Sequence, residues 1–370
     1  MKVAYISHHQ RPCYEYEWFS RIPAETIRFI DTDFSKYPKE KNENIEYCKV
    51  DYIENKFFNK IFHSTASIVK YRNFETYLKD VDVVIVLEVF SSLSKQIVSY
   101  CKKKNIKVVA LVYELIPTHP IYYLPTHILN KKYVIKNADA FICVSKKAED
   151  HLLKLGADQT KTTVVYPGID LSVFVPKINK SNEELRRLLF VGKLDVHKGI
   201  DLCLSMYKEI VKKDPQVELY IVGTGSYREQ VEVFANKYKN VTYFGSVPNK
   251  DLPEIINRCG IYIMPARDTY KLGMKIGSEQ FGFSLVEAMA CGLDIISSKC
   301  GAIPEIITDS NIVVDQDSDA LVSTVWNSLE KERVEFNKTN VRITQTSYDI
   351  NKQAEAFDEY LDVIVNKNVE

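Results

Sequence analysis

Short apolar runs rich in β-branched residues recur along the chain, each separated from the next by a stretch with helical spacing. The runs Lys2–Ser7, Val81–Leu87, Lys107–Val112, Ala140–Val144 and Thr162–Tyr166 are continuous rather than alternating. Parallel strands covered on both faces require that pattern. Helices are predicted over Ser92–Lys104 and Ser145–Leu155, the second with a serine cap and Gly156 as its stop. Residues 173–185, VFVPKINKSNEEL, are polar and contain proline, so they read as a linker. The alternation then restarts. Strands are predicted at Arg187–Val191, Glu218–Val222, Val241–Gly245 and Ile261–Pro265, with helices at Ile200–Lys213, Tyr227–Tyr238 and Leu252–Cys259. A helix from about Ser284 to Cys291, stopped by Gly292, leads into a strand at Leu293–Ser297. A short strand at Ile312–Val314 and helices at Ser318–Lys331 and Asn351–Val365 complete the pattern.

This order predicts an α/β protein with two Rossmann-like, doubly wound domains facing each other across a cleft. The expected divisions are residues 1–172, the linker 173–185, residues 186–345, and a final segment 346–370 carrying the last helix. Ligands are expected at the carboxyl ends of the strands. A chain of 370 residues suits two cores of roughly 150 to 180 residues each.

Composition narrows the chemistry. Hydrophobic content of 45% with 26% charged residues is that of a globular protein. Lys+Arg and Asp+Glu both number 49, which argues against nucleic acid as a partner. The eight cysteines form no C-x-x-C pair and are expected to be buried free thiols in a cytoplasmic setting. No signal peptide and no run approaching the ~20 apolar residues of a membrane span is evident. In Lys56–Arg72, the residues Phe57, Phe58, Ile61, Phe62 and Val69 fall on one helical face. That segment is expected either to pack on the sheet or to lie on the inner face of a membrane as a peripheral contact.

Candidate chemistry gathers between Glu279 and Glu305, EQFGFSLVEAMACGLDIISSKCGAIPE. A polar loop, Glu279–Gly282, precedes the helix there. Backbone N–H groups around Gly282 to Ser284 would point from a helix N-terminus toward an anion. Glu279 and Glu287 bracket the place. Eight residues apart on one helix they would be separated by ~12 Å, too far for the ~5 Å pair of a retaining hydrolase. Ser284-x-x-Glu287 and Ser226-x-x-Glu229 both have the form of capping boxes. Three Asp-x-Asp sequences (Asp31/Asp33, Asp80/Asp82 and Asp315/Asp317, running on to Asp319) read as chance in an acid-rich chain, and no essential metal or other cofactor is expected.

Glu279 and Glu287, with Phe281-Gly282-Phe283 between them, resemble the E-x7-E signature of the retaining family 4 glycosyltransferases. The flanking AMACG and G-A-I-P-E resemble that family too. The resemblance implies a GT-B fold, a nucleoside-diphosphate sugar (UDP- or GDP-linked) as donor, and a glycan or lipid-linked sugar as acceptor. It also implies a front-face mechanism in which the departing phosphate helps to deprotonate the acceptor, and a last helix that crosses back to the first domain. Val191-Gly192-Lys193-Leu194 followed by Lys198-Gly199 is similar to the family's pattern for two cations on the diphosphate. Lys193 stands where arginine is commoner, a point charge in place of a bidentate fork.

By the same resemblance Gly223 and Gly225 line the phosphate pocket and the backbone near Val247 reads the base. Glu279 orients the sugar and Glu287 accepts from the ribose hydroxyls. Phe281, Gly282, Phe283, Ser284 and Leu285 complete the donor side. On the acceptor and sugar side the first-domain strand ends offer His8, His9, Glu88, Tyr113, Glu114 and His119. Glu114 joins Glu279, Lys198 and Lys193 in the candidate catalytic set. Family members commonly have a glycine pair after the first strand and His-Asp after a later one. This chain has His8-His9 and Tyr113-Glu114 instead, and its loop Arg267–Ser278 is longer than usual. The alternatives on this architecture are a nucleotide-sugar epimerase, or a degenerate domain that binds nucleotide sugar as a sensor or scaffold.

Overall fold

The computed structural model describes residues 1–6, 12–35, 37–38, 42–54, 69–116, 123–307, 312–314, 318–331 and 336–366. They divide into two units, Met1–Gly168 with Ile350–Glu370, and Ile169–Asp349.

Among the described residues the first unit holds nine strands: β1 Lys2–Ile6, β2 Thr26–Asp31, β3 Ile45–Lys49, β4 Asp51–Glu54, β5 Val69–Arg72, β6 Val83–Leu87, β7 Lys107–Val112, β8 Ala140–Cys143 and β9 Thr162–Val164. Seven form one parallel sheet, ordered β3-β2-β1-β6-β7-β8-β9. The order reverses beside β1, whose neighbours are β2 and β6. The apolar runs at its centre are buried on both faces, as in VVIVL of β6.

Strands β2 and β3 escape the apolar-run criterion because they lie toward the edge. IEYCK in β3 buries only Ile45 and Cys48 and exposes Glu46 and Lys49, and Arg28 in β2 spends its guanidinium on Glu46 (2.6 Å) and on Asp80. Among the described residues of Lys56–Arg72, Val69–Arg72 are not helical. They pair antiparallel with β4, and the backbone of buried Tyr71 exchanges hydrogen bonds with the Gln96 side chain (2.9 and 2.8 Å). The remainder of that predicted helix, with its apolar stripe, lies outside the described residues.

Helices cover this sheet: α1 Pro12–Phe19, α2 Ser92–Lys104, α3 Pro125–Asn137 and α4 Lys146–Lys154. Ser145 caps α4 as expected, accepting from the Ala148 amide at 3.1 Å, and Gly156 takes a positive φ of 94° at its stop.

The second unit restarts with a short helix, α5 Asn182–Arg186, inside the stretch predicted as linker. A capping box between Ser181 and Glu184 holds it. Its sheet comprises β10 Leu188–Val191, β11 Leu219–Val222, β12 Val241–Tyr243, β13 Ile261–Met264, β16 Asp294–Ser298 and β17 Ile312–Val314, parallel in the order β12-β11-β10-β13-β16-β17. The intervening β14 Thr269–Lys271 and β15 Met274–Gly277 form a separate hairpin, where only a long loop was expected.

The helices of this unit are α6 Ile200–Lys213, α7 Arg228–Lys237, α8 Leu252–Asn257, α9 Phe283–Ala290, α10 Ile303–Ile306, α11 Ser318–Glu330 and α12 Lys338–Ser347. α12 went unpredicted because its inward face is polar. Asn340, fully buried, donates to the Leu293 carbonyl at 2.7 Å, and Thr344 is buried beside it.

The last helix, α13 Ile350–Asn366, belongs to the first unit. Phe357 stacks edge-on against Trp18 and Phe19, with centroids 5.1 and 5.2 Å apart. Fully burying a ring of that size contributes about 2–3 kcal/mol, so the chain's end helps to hold its beginning. Seven of the eight cysteines are free and buried, and the side chain of Cys13 lies outside the description. Among the described residues no helix is long and apolar enough to cross a membrane.

Candidate active site

The loops that follow β10, β11 and β12 are stitched to one another by main-chain bonds. Gly192 donates to Val222 (3.1 Å), Leu194 to Thr224 (3.0 Å), and Gly223 to Gly245 (2.7 Å). Such close approach leaves no room for side chains. A Cβ on Gly223 would lie 1.9 Å from the Gly192 carbonyl oxygen, and one on Gly225 would lie 2.4 Å from that of Leu194. The glycines of the G-x-G sequence are therefore demanded by loop-on-loop packing alone. Ser226 does not cap α7, whose first residue follows Tyr227 without a side-chain cap. Val247 sits half-buried in the loop after β12.

After β10 the chain makes one 3₁₀ turn, Val196–Lys198, capped by Asp195 accepting from the Lys198 amide at 3.0 Å. Gly199 then enters α6 with φ 77°. The turn aims the Lys198 ammonium at the Glu279 carboxylate, with which it forms an ion pair. Glu279 is 6% exposed, so this pair is shielded from water and holds more tightly than a surface one. Lys193, by contrast, is exposed and pairs with Asp195 at 3.2 Å. One of the two candidate cations is thus fixed by the site, while the other stands on its rim.

Three residues absent from the sequence-based set position Glu279. The Cys300 thiol accepts from its amide at 3.4 Å, and the Ala302 amide donates to its carbonyl at 2.8 Å. Gly301 lies against that carbonyl, with φ 55° and room for no Cβ, which would come within 1.8 Å of the oxygen. Burial pushes the Cys300 thiol up to about 11, which keeps it protonated. The G-A-I-P-E resemblance was the available signal for this clamp, but its physical reason is visible only in three dimensions.

Gly282, at φ 92°, is the cap of α9, so Ser284 lies within the first turn and the capping box with Glu287 does not form. The Ser284 hydroxyl instead meets the Tyr262 hydroxyl (2.8 Å) and donates to the Val191 carbonyl (3.1 Å). Tyr262, fully buried, ties the end of β10 and the start of α9 to β13. Its phenol is raised far above the usual range, chiefly by burial and further by the charges of Glu279 and Glu287. Tyr262 was missed because one tyrosine in an apolar strand looks like core.

Phe281 and Leu285 are core side chains, at 1% and 0% exposure, leaving only their backbone for a ligand. Phe283 is half-buried against Phe281. Glu287 is 1% exposed on the buried face of α9. Among the described residues the amide of Ser284 meets no protein acceptor, leaving a donor at the positive end of the helix.

In the first unit, Glu88 takes φ 64° and is buried. Its Oε1 accepts from the amides of Tyr113 (2.9 Å) and Glu114 (3.0 Å). Glu114 accepts in turn from the amides of Leu115 (2.9 Å) and Ile116 (2.7 Å). The Tyr113 ring belongs to the hydrophobic core. These residues bind the end of β6 to the end of β7. His8, His9 and His119 lie outside the described residues.

Two family models match consecutive stretches: Glycosyltransferase Family 4 over residues 34–173, and Glycosyl transferases group 1 over residues 174–349. The chain is 28% identical over 180 residues to the gpi3 subunit of phosphatidylinositol N-acetylglucosaminyltransferase of Schizosaccharomyces pombe, a match covering 48% of this chain and 37% of that one. It is 26% identical over 186 residues to phosphatidyl-myo-inositol mannosyltransferase of Mycolicibacterium smegmatis, covering 49% of this chain and 45% of that one. The matched stretch is less than half the length of each of these relatives. Anabaena HepE, solved in complex with UDP, superposes with a TM-score of 0.75 at 14% identity, over 98% of this chain and 100% of that one. Sucrose-phosphate synthase from Thermosynechococcus elongatus does so with a TM-score of 0.74 at 18% identity, over 99% and 100%. The fold is GT-B, and with both family models matched in order the chain belongs to the family 4 glycosyltransferases.

Proposed function

We propose that the chain is a retaining glycosyltransferase that moves a sugar from a nucleoside-diphosphate sugar to a glycan or lipid-linked sugar acceptor. The observation that carries this reading is the shielded Lys198–Glu279 pair beside the N-terminus of α9. Breaking the bond from the anomeric carbon to the diphosphate builds negative charge on the leaving phosphate. A preorganised cation and helix-terminal amides stabilise that charge best where water is excluded.

Lys198 then turns from Glu279 toward the diphosphate, or spans both, with Lys193 closing from the rim. Glu279, once its charge is shared with the donor, accepts from a sugar hydroxyl and fixes the ring. Glu287 accepts from the ribose, and the backbone near Val247 reads the base. The departing phosphate takes the acceptor's proton on the same face, so configuration is retained. Two lysines supply the charge that a metal would otherwise provide, and activity is expected to survive chelation. The first unit is proposed to carry the acceptor.

Uridine is the favoured base, because neighbours of the same fold were solved with UDP, with UDP-glucose and with UDP-2-fluoro glucose. A lipid-linked acceptor is favoured by relatives whose names carry phosphatidylinositol.

A thermal-shift panel of UDP, GDP, ADP and their sugar conjugates tests the donor half. A rise selective for uridine nucleotides, lost on Lys198→Ala, is expected. No rise at millimolar ligand with folded protein would sink the proposal. A rise without diphosphate release in any acceptor screen would favour the sensor reading.

A further inference from the structure

The hairpin β14–β15 sits immediately before Glu279 and offers apolar side chains to solvent. Residues 270–274, Tyr-Lys-Leu-Gly-Met, are all exposed, and Tyr270, Leu272 and Met274 are 62%, 89% and 40% exposed. Single exposed apolar side chains are ordinary, but three together on a protruding tip are not.

The base of the hairpin is rigid. Nη2 of Arg267 donates to both carboxylate oxygens of Asp201, the Arg267 amide donates to the His197 carbonyl (2.8 Å), and the Arg267 carbonyl accepts from His197 Nδ1 (2.7 Å). Asp268 is held by Lys275 (2.5 Å) and Ser278 (2.6 Å).

The tip is strained. Leu272 and Gly273 have φ of 50° and 76°, the two positive values of a tight I′ turn. Glycine or asparagine fits the first of those positions, and a leucine there is unfavourable. A bulky apolar residue held at the most exposed point, against both solvation and backbone preference, is explained by something it touches.

Charge selects the partner. Residues 269–277 contain two lysines and no acid, in a chain whose acids and bases are equal in number overall. Lys275 is used at the base, and among the described residues Lys271 has no ion-pair partner. The cross-strand register places Lys271 beside Met274, and Tyr270 beside Lys275. A tip with an aromatic ring, two aliphatic side chains and the Lys271 ammonium matches the boundary between anionic headgroups and acyl chains.

We propose that this hairpin docks the second unit onto an anionic lipid surface, inserting Leu272, Tyr270 and Met274 with Lys271 at the headgroups. The inference concerns a surface outside the donor site and does not depend on the transfer reading.

The test is sedimentation of the full chain with phosphatidylcholine vesicles, with and without phosphatidylglycerol. It compares the wild-type chain with Leu272→Asn, and with Leu272→Asn combined with Tyr270→Ser and Met274→Ser. Asparagine tolerates the positive φ, so the first variant keeps or raises thermal stability. The wild type is expected to sediment with anionic vesicles, less so at high salt. The triple variant should lose about tenfold or more in affinity while its melting and its response to UDP match the wild type. Absence of wild-type sedimentation would overturn the proposal, as would a triple variant that binds equally. So would a wild-type dimer, seen by light scattering, that the variant turns monomeric without any vesicle binding.

Discussion

Glu88 follows the central strand β6 and Glu279 follows the hairpin β14–β15; each is buried, and each was a candidate for chemistry. They are used in opposite ways. Glu88 gives its carboxylate to two amides of the neighbouring loop, and Glu114 folds back on its own backbone. The first unit therefore spends its strand-end acids on its own shape. In the second unit backbone groups and a thiol hold the Glu279 main chain, so its carboxylate is left to face a cation that a ligand can share. A carboxylate satisfied by backbone amides is structural; one balanced by a side-chain ammonium faces a partner that an anionic ligand can share. The difference teaches where in this chain an acid is available for chemistry.

Exchanging the two residues for alanine is the sharpest way to break the comparison. Glu279→Ala is expected to lower kcat by about 10²-fold or more, with a much smaller change in nucleotide affinity, read by calorimetry beside initial rates. Equal losses in both would remove its sugar-orienting role. Glu88→Ala should act on stability instead, costing about 2 kcal/mol through the two orphaned amides. A Glu88→Ala protein that melts like the wild type but turns over slowly would reverse the assignment.

The same contrast marks how much the sequence disclosed. The central strands announced themselves because burial on both faces forces uninterrupted apolar runs. α2, β7 and α6 have the predicted bounds, and the donor-side stretch was legible because helix, glycine and acids are local in sequence. β2, β3 and α12 were not, since β2 and β3 mix charged with apolar positions and α12 turns Asn340 and Thr344 inward. The clamp of Cys300, Gly301 and Ala302 around Glu279 showed in the sequence only as the G-A-I-P-E resemblance, and its physical reason was hidden on another ground. The clamp joins two separate loops, and no short-range pattern encodes a thiol accepting from a distant amide.

Gly301→Ala tests that clamp. Its Cβ would overlap the Glu279 carbonyl in a backbone region that alanine disfavours. A loss of about 3 kcal/mol is expected, together with weakened turnover, since the displaced carbonyl belongs to the acid that faces Lys198. Urea melts and rates on the same preparation check it. Unchanged values in both would mean that the loop yields freely and that Glu279 is not held as described.

Acid should reach the first unit through His151. Burial above all, then the charges of Lys131 and Lys154, brings its imidazole down to about 4 from 6.5. The folded pKa is depressed, so the unfolded chain takes the proton first. The contribution is complete above pH 6.5 and is lost as pH falls from there toward 4, up to about 3 kcal/mol. Chemical melts from pH 7 to 4 should show that decline for the wild type and a flatter course for His151→Asn. Parallel curves would exclude His151 as the source.

The smallest effect expected is in the second unit, at Lys180. Its ammonium donates to the Cys259 carbonyl (2.7 Å) and reaches that of Cys291 (3.5 Å), just beyond the ends of α8 and α9. It therefore caps the helix whose other end carries the site, the negative end of that dipole. Loss of water nevertheless outweighs the nearby thiols and Glu184, and the amine is brought down to about 8 from 10.5. Here too the unfolded chain holds the proton more firmly. The burial penalty is fully present below pH 8 and is relieved as pH rises from 8 to 10.5, so this group makes stability climb in that window. The amine is partly exposed, so the gain is on the order of 1 kcal/mol. Lys180→Met should flatten the slope between pH 8 and 10 while leaving the His151 region untouched. If methionine also lowers UDP affinity at pH 7, the cap at one end of α9 is felt at the other. Unchanged affinity would confine Lys180 to holding the two helix ends together.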